Sequence, residues 1–182
     1  MLRPYQILAP LLSLFLVRVD LTDLWPLTYE VSLLRLIDAD TAEVKLGAQK
    51  LRIRLSKLDA PEKGQPFYNG QGNAGLFALA CAQKVVDKRR KFSLVIYKKD
   101  IYGRYLGDLD SLSYQLVKAG CSGLYPHAEF RNQKEKWVFL QALDLSKRQG
   151  LGLWARGGYL RPQLWRKRHR FSKRTSHRLS HQ

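Results

Sequence analysis

From Tyr29 onward the chain alternates with period two: Tyr29, Val31, Leu33 and Arg35 take one side, Glu30, Ser32 and Leu34 the other, and Asp38-Ala39-Asp40 follows as a turn. This alternation predicts a strand leading into a hairpin. A second strand is expected over 41–46 and a third over 50–58, joined across Gly47-Ala48-Gln49. In the third, Leu51, Ile53 and Leu55 point one way and Arg52, Arg54 and Ser56 the other, so Arg54 stands away from the apolar stripe. Pro61 is expected to end that strand, and a loop over 63–72 leads into a helix over 73–88 with Asn73 as its cap and Leu76, Leu79, Ala80 and Val86 on its apolar face. Two more strands are expected over 92–97 and 104–109, so that Arg104 leaves a turn and enters a strand. A short helix over 111–119 closes at Gly120. A longer one over 132–148 closes at Gly150, with Trp137, Leu140, Ala142, Leu143 and Leu145 among its apolar positions. Trp154 follows as an expected core plug. Five strands, with helices between the third and fourth and at the carboxyl end, predict an α+β fold built on a small, closed or nearly closed OB-like barrel.

Ahead of this body the pattern is different. Ile7 to Val17 is an apolar run of eleven residues broken by Pro10 and Ser13 and preceded by Arg3. As a helix it would span roughly 16 Å against a hydrocarbon core of about 30 Å, too little for a conventional transmembrane segment. It resembles the core of an export signal, yet residues 18–30 offer no small-x-small cleavage site. Three readings stay open: an uncleaved export signal, an apolar arm docked on the domain, and a start assigned too far upstream. The expected organisation is therefore an apolar segment over 1–28, a domain over 29–155 and a tail over 156–182.

At 182 residues with 45% apolar content, the chain has room for one sizeable core. Its formal charge of +17 makes polyanions, nucleic acid above all, the expected partners, with an anionic membrane surface as the other class. Residues 156–182 hold nine Lys or Arg, three of the four histidines and no Asp or Glu, which reads as a polycationic tail without a fixed fold. Within it Arg166, Lys167, Arg168 and Arg170 are candidate nucleic-acid contacts. Cys81 and Cys121 are the only cysteines, which excludes a four-cysteine zinc site and a CxxC motif. They are expected to be buried, reduced thiols rather than a disulfide.

The chemistry sits in three short blocks: Asp38-Ala39-Asp40-Thr41, the run Arg54 to Glu62, and Asp100-Ile101-Tyr102-Gly103-Arg104. Carboxylates at Asp40, Asp59 and Glu62 suit a hard divalent cation and the steering of a water, while Arg54 and Arg104 suit the charge that develops on an attacked phosphate. Taken singly, each has a structural explanation as a turn residue, a surface ion pair or a solvated loop. Taken jointly, they point to phosphodiester cleavage.

These blocks, with Gly150-Leu151-Gly152-Leu153-Trp154, resemble the staphylococcal nuclease (thermonuclease) family over residues 29–154. DGDT appears as Asp38 to Thr41, RLxxxDxPE as Arg54 to Glu62, and DxYGR as Asp100 to Arg104. The resemblance implies a five-stranded OB-like barrel with three helices and calcium-dependent cleavage of DNA and RNA. It implies one Ca2+ held by Asp40, Asp59 and the Ala60 carbonyl, with Arg54, Glu62 and Arg104 catalytic, and Asp38, Thr41 and Asp100 supporting. Ala39 stands where the family usually has glycine, and Ala60 where threonine is common. If the turn at Ala39 needs positive φ, strain of about 1 kcal/mol is expected. Tyr125 is a candidate for stacking on a base.

The main alternative is a non-catalytic OB-fold module that binds single strands. A membrane-surface protein using the apolar segment and the cationic tail is the third class. A monomer is expected, exported or membrane-associated, with the cytoplasm as the alternative.

Overall fold

The computed structural model describes residues 27–86 and 90–168. The apolar run at 7–17, Arg170 and the remainder of the tail lie outside the described residues. In chain order the elements are β1 (Leu27–Asp38), β2 (Thr41–Leu46), β3 (Gln49–Leu55), β4 (Leu58–Asp59), α1 (Ala74–Val86), β5 (Lys91–Lys99), β6 (Tyr105–Leu109), α2 (Leu112–Lys118), β7 (Gly123–Leu124) and α3 (Gln133–Arg148). A 3-10 turn over Gly152–Arg156 and a helical stretch over 162–168 follow.

Five strands close the expected α+β barrel in the order β1-β2-β3-β6-β5, while β4 and β7 form a separate two-stranded pair. The β1–β2 hairpin turns at Ala39-Asp40, and Asp38 stands opposite Thr41. Next to it β2 and β3 place Thr41 opposite Arg54. The seam between β3 and β6 is parallel, with Ile53 opposite Tyr105 and Arg54 opposite Leu106. Val44, Ile53, Leu55, Leu94 and Leu109 are fully buried, as period-two alternation in a closed barrel requires.

The third strand is shorter than expected. It ends at Leu55, and the chain turns at Ser56-Lys57 before β4 begins, so Leu58 and Asp59 belong to the second sheet. The helices also differ in the faces they bury. In α1 the small residues Ala74, Gly75, Ala78 and Ala82 pack inward with Val86, while Leu76 is exposed. A Cβ at Gly75 would overlap the Glu62 carbonyl, so glycine there lets the helix press on the loop that carries Glu62. In α3 the buried positions are Phe139, Ala142 and Ser146, and Trp137, at 62% exposure, faces out together with Leu140 and Leu145. The core plug after α3 is Leu153; Trp154 is half-buried and stacks on Tyr159 with ring centroids 5.7 Å apart.

Two further expectations are corrected. Residues 156–168 are folded against the body rather than forming a tail without structure: Gly158 and Tyr159 are buried, and a helix runs over 162–168. Cys81 and Cys121 form a disulfide with Cα atoms 5.4 Å apart, tying α1 to the turn after α2. The bond closes a loop with a sequence separation of 40, for which chain entropy gives a stabilisation of about 4 kcal/mol. The Cys81→Ala/Cys121→Ala double variant is therefore expected to lose several kcal/mol in urea denaturation. A loss under about 1 kcal/mol would mean that the bond does not constrain the unfolded chain.

Candidate active site

Several of the candidate residues are placed by short-range devices. Asp38 accepts the Asp40 backbone N–H (3.0 Å), which shapes the β1–β2 turn as an Asx turn and aims the Asp40 side chain. Among the described residues the one non-glycine with positive φ is Asp110, so Ala39 sits in this turn without the strain considered above. Asp40, only 6% exposed, accepts from the Ala60 N–H (2.8 Å) and from the Thr41 hydroxyl (3.0 Å), linking the first turn to β4. Asp38 and Thr41 thus support Asp40.

Arg54 leaves β3 on the face away from the core and bridges both acids. Its Nη1 lies 2.8 Å from Asp40 Oδ2, and its Nη2 lies 3.9 Å from Asp59 Oδ1. Arg104 is set by Asp100, whose carboxylate accepts from the backbone N–H groups of Tyr102 and Arg104 and takes Arg104 Nε and Nη2 as a fork, both at 2.8 Å. Gly103, at φ 76°, turns the chain back so that this fork closes. Glu62 follows Pro61 in a tight turn in which Gln65 accepts from the Glu62 N–H (3.1 Å).

Asp38, Asp40, Arg54, Ala60, Glu62, Asp100, Arg104 and Tyr125 all line one open cavity of about 610 Å³, with Asp59 joined to it through Arg54. Tyr125 packs edge-to-face on His127 (5.6 Å). The cavity also takes Tyr102, Gln163 and Arg166, the last of which pairs with Glu62. Lys167 and Arg168 share the helix of Arg166, on an exposed surface, and do not line the cavity. Tyr102 and Gln163 line the cavity in addition to the residues expected from the sequence. Tyr102 stood inside a recognised block, and Pro162 gave a usable signal for a helix start, since proline suits a first helical position. No short-range pattern points to Tyr159, which buttresses the site from 100 residues away, and Gln65, though only three residues past Glu62, gains its role through the distant Leu160 carbonyl.

Burial pushes the Asp40 carboxyl up to about 8 against the lowering influence of Arg54, and pushes Asp59 up to about 6. Burial thus outweighs the nearby guanidinium charge at both carboxyls. Among the described residues no group of three or more His, Cys, Asp or Glu is arranged to hold a metal. Asp40 and Asp59, both buried and both against Arg54, are the carboxylate oxygen donors at this point of the site. That donor set fits one hard, oxygen-preferring divalent cation bound with few protein ligands.

The shifts carry a stability sign. Between the ordinary value of 3.8 and the raised values, the folded state keeps protons that the unfolded chain has released. This stabilisation is full below 3.8 and is lost as pH rises towards about 8. In chelator the melting temperature is expected to fall from pH 5 to pH 8, a window chosen because Glu43 and Asp100, whose carboxyls are lowered, are already ionised there. Millimolar calcium is expected to reduce that fall. A flat or rising melting temperature in chelator would count against the buried acid pair.

A family model described as "Staphylococcal nuclease homologue" matches residues 52–156. A protein of Escherichia coli O157:H7 named "Uncharacterized endonuclease" is 31% identical over 139 residues, covering 74% of this chain and 82% of that protein. The "Micrococcal nuclease" of Shigella flexneri is 27% identical over 139 residues, covering 73% of this chain and 78% of that protein. A rice protein, "Probable staphylococcal-like nuclease CAN1", is 32% identical over 124 residues, 66% of this chain and 34% of its own length.

Proposed function

The chain belongs to the staphylococcal nuclease family, and from that premise we propose that it is a nuclease hydrolysing phosphodiester bonds of DNA, RNA or both. One observation carries the reading: Asp40, Arg54, Glu62 and Arg104 face a single cavity, and Asp59 is bound to it through Arg54. A non-catalytic binding module has no use for that complete set.

Attack on a phosphodiester builds negative charge on the phosphorus oxygens. Arg54 and Arg104 present planar forks already fixed by Asp40 and Asp100, so they meet that charge without reorganising. Glu62, a carboxylate lining the same cavity, takes the proton of the attacking water or orients that water. A divalent ion, calcium by the family resemblance, would be held by Asp40, Asp59 and the Ala60 carbonyl, where it supplies Lewis-acid polarisation of the phosphate. Tyr125, which lines the cavity, offers a ring on which a base would stack.

The Cys81–Cys121 bond supports export to an oxidising compartment, since such bonds persist poorly in a reducing cytosol. No helix among the described residues is long and apolar enough to cross a membrane.

The deciding experiment is digestion of single- and double-stranded DNA and RNA with calcium, with magnesium and with chelator, beside Glu62→Gln. Metal-dependent cleavage that Glu62→Gln abolishes supports the assignment. Binding without cleavage under every metal condition sinks it in favour of the binding module.

A further inference from the structure

Residues 157–168 follow the Gly150 to Trp154 block, yet they are stitched to the loop that carries Asp59 and Glu62. The Tyr159 hydroxyl donates to the Asp59 carbonyl (2.7 Å) and accepts from the Gly123 N–H (2.9 Å). The Leu160 carbonyl accepts from Gln65, the same side chain that accepts from the Glu62 N–H. The Gly158 carbonyl accepts from the Tyr68 N–H at 3.1 Å. These ties aim the helix over 162–168 at the cavity, where Gln163 and Arg166 form part of the wall.

Arg166 enters from the Glu62 side, and its charge reaches Asp59 as well. Arg54 and Arg104 are locked in place by buried or bidentate carboxylate contacts, whereas Arg166 meets Glu62 through Nη1 with its side chain 41% exposed. A guanidinium carries further donors on its other nitrogens, and an ion pair this exposed is weak, so an incoming phosphate oxygen displaces it at little cost. The cavity of about 610 Å³ is within the range of pockets that hold whole small molecules, with room for more than one phosphate.

We propose that Arg166 and Gln163 form a second phosphate subsite, which takes a phosphodiester flanking the scissile one on the same nucleic-acid strand. This rests on the nuclease reading. Arg54 and Arg104 hold the phosphate being cut, and Arg166, paired with Glu62 in the same cavity, holds a neighbour and sets the strand's register across the site.

The test uses oligonucleotides that carry one neutral methylphosphonate linkage, moved one position at a time away from the cleaved bond. With the native protein, one flanking position is expected to lower kcat/KM about tenfold, chiefly through KM, the low end for a charge-assisted contact at a partly exposed site. In Arg166→Gln the penalty at that position disappears while penalties elsewhere persist, and Arg166→Lys restores part of it. Gln163→Ala is expected to show a smaller version of the same loss. If native protein and Arg166→Gln show the same penalty at every position, the subsite is refuted and Arg166 serves only its pairing with Glu62. If native protein cuts no substrate at all, the nuclease reading itself falls, and the subsite with it.

Discussion

Arg54→Lys and Arg104→Lys are each expected to lower turnover on the order of 100-fold to 1,000-fold, the range for losing one preorganised donor to a developing oxyanion. Lysine keeps the charge and loses the fork. Arg54 spans Asp40 and Asp59 with two nitrogens, and Arg104 takes Asp100 with two, so each guanidinium is held at a fixed angle to the cavity. An ammonium can satisfy one carboxylate and leaves the phosphate unmatched. Steady-state kinetics with saturating substrate reads the effect. Melting temperatures serve as the control for Arg54, whose replacement also disturbs its contacts to the buried Asp40 and Asp59. A fall of less than about tenfold in either variant would remove that arginine from the catalytic set.

Asp108→Ala is expected to destabilise the fold by about 3 kcal/mol or more, since it strands a buried ammonium. Lys57 is only 2% exposed and its Nζ pairs with Asp108, with Glu135 standing off at 3.9 Å. Asp108 also accepts from the hydroxyls of Tyr97 (2.8 Å) and Ser113 (3.2 Å), and burial beside it pushes the Tyr97 hydroxyl pKa up. The network joins the turn after β3 to β5, β6, α2 and α3. Urea denaturation of Asp108→Ala and of Lys57→Met/Asp108→Leu separates charge from shape. The double variant is expected to regain much of the loss, because two apolar side chains of similar volume leave no unpaired charge. Should the double variant be as unstable as the single, the ion pair is not what Asp108 contributes.

Lys57 also shows why part of the fold was illegible in the sequence. At period two Lys57 falls in phase with Leu51, Ile53 and Leu55 and carries no local sign of its partner, so 50–58 reads as one strand, whereas the chain turns at Ser56-Lys57 and the lysine pairs 51 residues away. Long-range pairing leaves no local mark. The two cysteines raised the same problem across 40 residues, and α1 buried its alanines where periodicity favoured its leucines. What was legible is local: β2 over 41–46 and the outward aim of Arg54 follow from period two. The Asp40, Arg54 to Glu62 and Asp100 to Arg104 blocks came together because each is set by a turn within a few residues. The folded part of 156–168 reads as a tail because its density of positive charge outweighs Pro162 and Trp165 as signals.

The parallel seam between β3 and β6 has a consequence for when the molecule becomes dangerous. Arg54 stands on β3 and Arg104 leads into β6, so the two meet only when strands from distant parts of the chain lie side by side. A growing polypeptide that has made only its first hairpins owns half a vice. Because the jaws are mated by barrel closure itself, any cut that needs both arginines waits for the finished tertiary structure, and on our proposed reading a partly made or unravelled copy would sever nothing.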